Sequence, residues 1–214
     1  MPVNAQPNPF ASHWLIRDIV IGSHIGVAGP ESLLFIGDSI VEGFYWNSVG
    51  SHAVVNAGYS GIWTEALEPK VERLLTVAKP RLAALLVGTN DAKQGRGEEY
   101  LATVATLYEK TVRLFSASGV RLIAITPPPV EQGKRLTGYY SGEAMHALAR
   151  EVVQIATHHG HGVIDLHGAL STPDRNAKAG ATIDGIHLSP PAYRLMRDML
   201  ERKIAEMDTE GKQA

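Results

Sequence analysis

The chain has 214 residues and a net charge of −2, with 44% hydrophobic and 20% charged residues, and its mean hydropathy is −0.05. That composition suits a soluble globular protein; it offers no basic stripe for nucleic acid and no apolar run near the ~20 residues of a membrane span. Having no cysteine, the chain lacks disulfides, thiolate metal sites and any cysteine nucleophile.

The opening stretch, Met1 to Pro9, has neither the basic flank nor the apolar centre of a secretory signal. A cytoplasmic location is therefore expected, and residues 1–12 read as an irregular arm. Trp14, Leu15, Ile19 and Val20 can share one side of a short helix. Short apolar runs then alternate with amphipathic stretches. The runs are Leu33 to Ile36, Ala53 to Asn56, Leu82 to Val87, Val120 to Thr126 and Gly162 to Leu166, as parallel strands buried on both faces require.

Helical spacing recurs between them. Pro69 suits the start of a helix carrying Val71, Leu74 and Leu75. Leu101, Val104, Ala105, Tyr108, Val112 and Phe115 form a second apolar face, and Met145, Leu148, Val152 and Ile155 a third. Ser189 can cap the last helix, with Pro190 in its first position and Leu195, Met196, Met199 and Leu200 along its face. The alternation predicts one domain over residues 1–214, a three-layer α/β/α sandwich around a central parallel sheet of about five strands, flavodoxin-like. The stretch Pro127 to Tyr140 reads as a long loop, and such loops often carry function.

In open α/β sheets ligands bind beyond the carboxyl ends of the strands. Four polar or glycine-rich segments fall at such ends or before the last helix: Gly37-Asp38-Ser39-Ile40, Asn56-Ala57-Gly58-Tyr59-Ser60-Gly61, Gly88-Thr89-Asn90-Asp91 and Asp184-Gly185-Ile186-His187. Ser39 becomes a nucleophile only if a base takes its proton. His187 is a base of the right type, and Asp184, three residues earlier, can fix its tautomer and stabilise the imidazolium. The Ser39 and Gly58 amides and the Asn90 side chain can form an oxyanion hole. Asp38 and Asp91 read as loop braces, and Ser60 as a turn residue.

Together these segments resemble, in order, the conserved blocks of the SGNH (GDSL-like) hydrolases. The resemblance implies a serine ester hydrolase working through an acyl-enzyme without metal or organic cofactor. Its catalytic residues would be Ser39, Asp184 and His187, and its oxyanion donors Ser39, Gly58 and Asn90. Ile40 stands where the family nickname has Leu. Small-molecule esters with short acyl groups are the expected substrates; acetylated sugars, lysophospholipid-like esters and thioesters all fall within the family's range.

Three rival readings compete with this one. His158, His159 and His161, with His167 nearby, could serve a metal-dependent hydrolase; a solvated helix end fits them better, since adjacent His158 and His159 would point apart on a helix. An idle carbohydrate- or protein-binding module would not need both a complete triad and the oxyanion donors. A flavodoxin-like nucleotide site would call for a glycine-rich phosphate loop, which is missing. Tyr45, Trp46, Trp63, Tyr139 and Tyr140 are candidates to line the substrate pocket.

Overall fold

The structure, a computed structural model, describes residues 8–210. In chain order its elements are α1 (Ala11–Ala28), β1 (Leu33–Gly37), α2 (Ser39–Glu42), β2 (Ser48–Val49), β3 (His52–Gly58), α3 (Thr64–Ala78), β4 (Leu82–Leu86), α4 (Glu98–Ala117), β5 (Arg121–Ile125), α5 (Gly142–His158), β6 (Gly162–Ile164), α6 (Leu166–Leu170) and α7 (Pro190–Glu210). The strands form one six-stranded sheet in the order β2-β3-β1-β4-β5-β6. Leu33 pairs with Val54 on one side and Leu82 on the other. Since β3 and β4 leave β1 in opposite directions, the topological switch lies at β1, where an α/β sheet opens its ligand crevice.

Side chains alternate across a strand, and that period sorts the core into two layers. Leu34, Ile36, Val55, Ala57, Leu85 and Leu122 pack with Ile21, Leu67, Val112 and Val152 of α1, α3, α4 and α5. Leu33, Phe35, Leu82, Leu86, Ile123 and Ile164 pack with Ile40, Leu170, Met196 and Leu200 of α2, α6 and α7. Each large apolar side chain buried this way contributes about 1.5–3 kcal/mol before entropy is counted. The sandwich expected from the sequence is therefore the observed one.

Three details differ. The sheet is mixed: β2 pairs antiparallel with β3, Ser48 opposite Ala53, and a two-residue strand is too short to show a period. The expected arm over residues 1–12 ends earlier, because α1 begins at Ala11; residues 1–7 lie outside the described part. Within α1, Trp14 and Ile21 are buried while Leu15 and Ile19 face out. Polar tethers set that rotation: Arg17 donates to Gly58 O at 2.8 Å and Asn56 O at 2.9 Å, and Tyr59 Oη donates to Asp18 at 2.7 Å.

The third difference is at α3, which starts at Thr64 and carries Pro69 inside it. Its start is capped from another element. Thr64 N and Oγ1 donate to Asp91 Oδ2 at 3.0 and 2.9 Å, so a cap 27 residues away in sequence overrides the local proline signal. Among the described residues no helix is long and apolar enough to cross a membrane.

Candidate active site

Ser39 opens α2 immediately past the end of β1. Its helix is capped by Asp38, whose Oδ1 accepts from Ile40 N at 2.9 Å, rather than by Ser39, so the serine hydroxyl is left for another partner. That partner is His187. Ser39 Oγ and His187 Nε2 are 2.9 Å apart, and His187 Nδ1 lies 2.8 Å from Asp184 Oδ2. With Nδ1–H donated to the carboxylate, Nε2 is placed to accept the Ser39 proton.

Asp184 does more than orient the ring. Its Oδ1 accepts the His187 and Ile186 amides at 3.0 and 3.3 Å, an Asx-type turn that fixes both residues locally. Partial burial pushes the Asp184 carboxyl up, but the His187 side chain and these amides outweigh it and hold the group below its ordinary range. Asp184 thus stays anionic beside the imidazole. Asp38 behaves in the opposite way. It is fully buried, and burial, only partly offset by the Ile40 amide, Thr89 and His187, raises it to about 6.

The oxyanion donors expected from the sequence fare differently. The Ser39 amide has no partner among the described residues, as a first-turn N–H commonly does. Asn90 is buried, and its Nδ2 gives one proton to Ile62 O at 2.9 Å, leaving the second. The Gly58 amide, however, donates to Asn56 Oδ1 at 3.0 Å. A Cβ on Gly58 would come within 2.1 Å of Glu42 N, so that glycine lets β3 pack against the backbone of α2. Asn56 completes the suture, donating to Val41 O at 2.7 Å and Phe44 O at 2.8 Å.

A different glycine stands nearby. Ile62 N bonds Tyr59 O at 3.2 Å, closing a turn in which Gly61 takes φ +75°, as the third residue of a type II turn must. The turn is held from two sides, by Glu42 accepting Ser60 N at 2.6 Å and by Asn90 donating to Ile62. The Gly61 amide has no partner among the described residues.

These distances define a relay and a set of amide donors at the mouth of β1, β3 and β4. The GDSL-like lipase/acylhydrolase family model matches residues 35–195, which include every one of these groups. The chain belongs to that family. Solved structures of GDSL hydrolases share the fold. A lipase/acylhydrolase from Enterococcus faecalis is 23% identical, with 81% of this chain and 95% of that one covered at a TM-score of 0.69. A GDSL-like lipase from Bacteroides thetaiotaomicron is 15% identical, with 91% and 99% covered at 0.77. A catalytic mutant of an acetylxylan esterase from Geobacillus stearothermophilus is 21% identical, with 83% and 95% covered at 0.65. No curated protein sequence matches the chain.

In this GDSL-family chain the long loop 127–140 turns out to brace the relay. Glu131 accepts Gly180 N, Thr182 N and Thr182 Oγ1 at 2.7–2.8 Å, and Leu136 N donates to Asp184 O at 2.8 Å. No local pattern marks Glu131, which lies 51 residues from Thr182. The candidate aromatics divide. Trp63 packs against the helical layer, its ring tilted 55° to that of Trp14 at 5.6 Å, and Tyr139 is 65% exposed. Tyr140 lies beside the site, its phenol raised by burial and then by the nearby Asp38 and Asp184 charges. Tyr45 and Trp46 line an apolar pocket with Ile183 and Leu188.

The histidine cluster does not converge. His159 Nε2 pairs with Glu109 at 3.1 Å and His161 Nε2 with Ser116 at 2.9 Å. The rings of His158 and His159 meet edge-on at 5.1 Å instead of pointing apart, because His159 has already left helical geometry at the end of α5. His167 is buried elsewhere, against Pro127 O and His146. Among the described residues no three His, Asp or Glu side chains gather as a metal site.

Proposed function

We propose that this GDSL-family chain hydrolyses carboxylic esters with small acyl groups through an acyl-enzyme on Ser39. The observation that carries this reading is the unbroken relay from Ser39 Oγ through His187 to Asp184, at 2.9 and 2.8 Å. Ser39 attacks the ester carbonyl as His187 Nε2 takes its proton. Asp184 stabilises the imidazolium by its charge and keeps its own proton state. His187 then protonates the leaving alcohol, and water, activated by the same imidazole, releases the acid.

The tetrahedral oxyanion is received by the Ser39 amide and the free Asn90 N–H. The third donor in this proposal is Gly61 rather than Gly58, since the Gly58 amide is already committed to Asn56. Acetyl is the acyl group we favour, in keeping with the fold shared with an acetylxylan esterase.

A serine-directed phosphonate tests the assignment. It is expected to label Ser39 in the native chain, and Ser39→Ala is expected to lose both the label and turnover of a chromogenic acetate at an unchanged melting temperature. Labelling of another serine, such as Ser60, or full turnover in the variant would overturn it.

A further inference from the structure

Beside the relay lies a cavity of about 300 Å³ lined by Tyr45, Trp46, Ile183, Leu188, Pro190 and Tyr193, together with Gly43. Its volume is at the lower end for small-molecule pockets. The walls are built from the segments that carry the relay. Gly43 N bonds Ser39 O at 2.9 Å, one helical turn along α2, and Ile183 N bonds His187 O at 2.8 Å. Ile183 precedes Asp184, Leu188 follows His187, and Leu188 bridges back to Thr182. Tyr193 joins from α7, donating its hydroxyl to Ile40 O at 2.9 Å.

We propose that this pocket holds the alcohol part of the ester, and that this part is an alkyl or aryl group. The assignment rests on the esterase reading above. Once the carbonyl oxygen faces Ser39 N–H and Asn90, the ester oxygen must face His187 Nε2 to be protonated as it leaves. The substituent on that oxygen then lies on the His187 side, where Ile183 and Leu188 form the wall. The acyl group is directed elsewhere.

The chemistry of the occupant follows from the lining. A sugar would bring several hydroxyls, each needing a partner when it leaves water. The pocket meets it with hydrocarbon: Tyr193 has already given its proton to Ile40, and the Tyr45 phenol stands at the rim, 90% exposed. Trp46 is held in place by Phe44, with ring centroids 5.1 Å apart, so a flat apolar wall persists. Ile183 is 67% exposed, a large apolar side chain left uncovered beside a reacting group, as a wall awaiting an apolar ligand is.

The test uses two ester series on the full chain. One keeps the acetyl group and lengthens the alcohol from methyl to hexyl, with benzyl acetate and an acetylated xyloside beside it. The other keeps ethanol and lengthens the acid. We expect kcat/KM to climb along the alcohol series by up to about fourfold per methylene buried, with no climb along the acid series. Ile183→Ser and Tyr45→Ser, both at exposed positions, should flatten the alcohol series, lowering kcat/KM for hexyl and benzyl acetate severalfold more than for methyl acetate.

A climb along the acid series alone would overturn the proposal, as would an acetylated xyloside outrunning hexyl acetate. If Ile183→Ser changes only the mass of the particle in solution, the patch is a contact between copies and the proposal falls. If the native chain hydrolyses no ester and its Ser39 takes no phosphonate, the esterase reading fails first and the alcohol pocket with it. Acetate turnover at a rate indifferent to the alcohol would remove the pocket alone.

Discussion

Glu131 accepts the Thr182 amide at 2.7 Å, and this bond ties the 127–140 loop to the segment that presents Asp184 and His187. The carboxylate also receives Gly180 N and the Thr182 hydroxyl, both at 2.8 Å, and Lys134 Nζ lies 3.0 Å away. Burial alone would raise this group, yet those donors bring it down to about 2. Glu131 is a positioning residue: it touches neither Ser39 nor His187, but it holds the segment that presents Asp184 and His187.

Glu131→Gln should keep the shape and lose an acceptor, replacing one carboxylate oxygen by an amide NH2 donor that faces the donors of Gly180 or Thr182. A buried N–H without an acceptor costs about 1–3 kcal/mol, and we expect a lower melting temperature together with a fall in kcat at little change in KM. The pH dependence has a definite sign. A carboxylate with a depressed folded pKa stabilises above its unfolded value and loses that contribution as pH falls through the folded one. The gap between wild type and variant should therefore be full at neutral pH and shrink from its ordinary value of 4.5 toward about 2. Thermal melts across that range check it.

Asp38 should show the opposite trend. Its pKa is raised from 3.8 to about 6 by burial, so the folded chain binds a proton in that window which the unfolded chain does not. Stability from this group is present below the window and is lost as pH rises through it, approaching ~3 kcal/mol at about 1.4 kcal/mol per pH unit. Asp38→Asn retains an oxygen to cap Ile40 and removes the buried charge. Its melting temperature relative to wild type should therefore rise between pH 4 and pH 8; a pH-independent difference would refute the account.

Asn90→Ala should lower kcat by about 10²–10³ and barely move KM, because the donated bond strengthens only when the oxyanion forms. Its neighbour provides the contrast. Asp91→Ala removes the acceptor of Thr64 N, Thr64 Oγ1 and Tyr100 Oη, and should cost about 2–4 kcal/mol of stability through a lost cap and stranded donors. Steady-state kinetics and melting curves on the pair separate the roles. A raised KM at normal kcat for Asn90→Ala would make Asn90 a binding residue instead.

The two glycines are separated by replacing single backbone amides with esters, which deletes one N–H and leaves the side chains intact. At Gly61 this should cut kcat by the ~10²–10³ typical of an oxyanion donor, with the fold preserved. At Gly58 it should lower the melting temperature instead, since that N–H holds Asn56 Oδ1. Gly58→Ala should fail to fold, because its Cβ would press on the α2 backbone at 2.1 Å. Equal kcat losses at both amides would return Gly58 to the oxyanion hole.

What the sequence determined by itself is whatever depends on neighbours in the chain. Apolar runs such as Leu33 to Ile36 and Leu82 to Val87 declare buried strands because one face or both must leave water wherever they pair. Asp184 and His187 were legible as a pair because three residues suffice for a turn to join them, and Ser39 because a strand end exposes whatever follows it. Tertiary structure decided what depends on partners far along the chain. Ser39 meets His187 across 148 positions, Asp91 rather than Pro69 sets where α3 begins, and Arg17 rather than the apolar pattern sets which face of α1 is buried. It also took Asn56 Oδ1, reached only in the folded chain, to occupy the Gly58 amide and leave Gly61 as the donor we propose. A backbone N–H carries no mark of its future acceptor in the sequence, and each such bond forms only where packing brings the acceptor within about 3 Å.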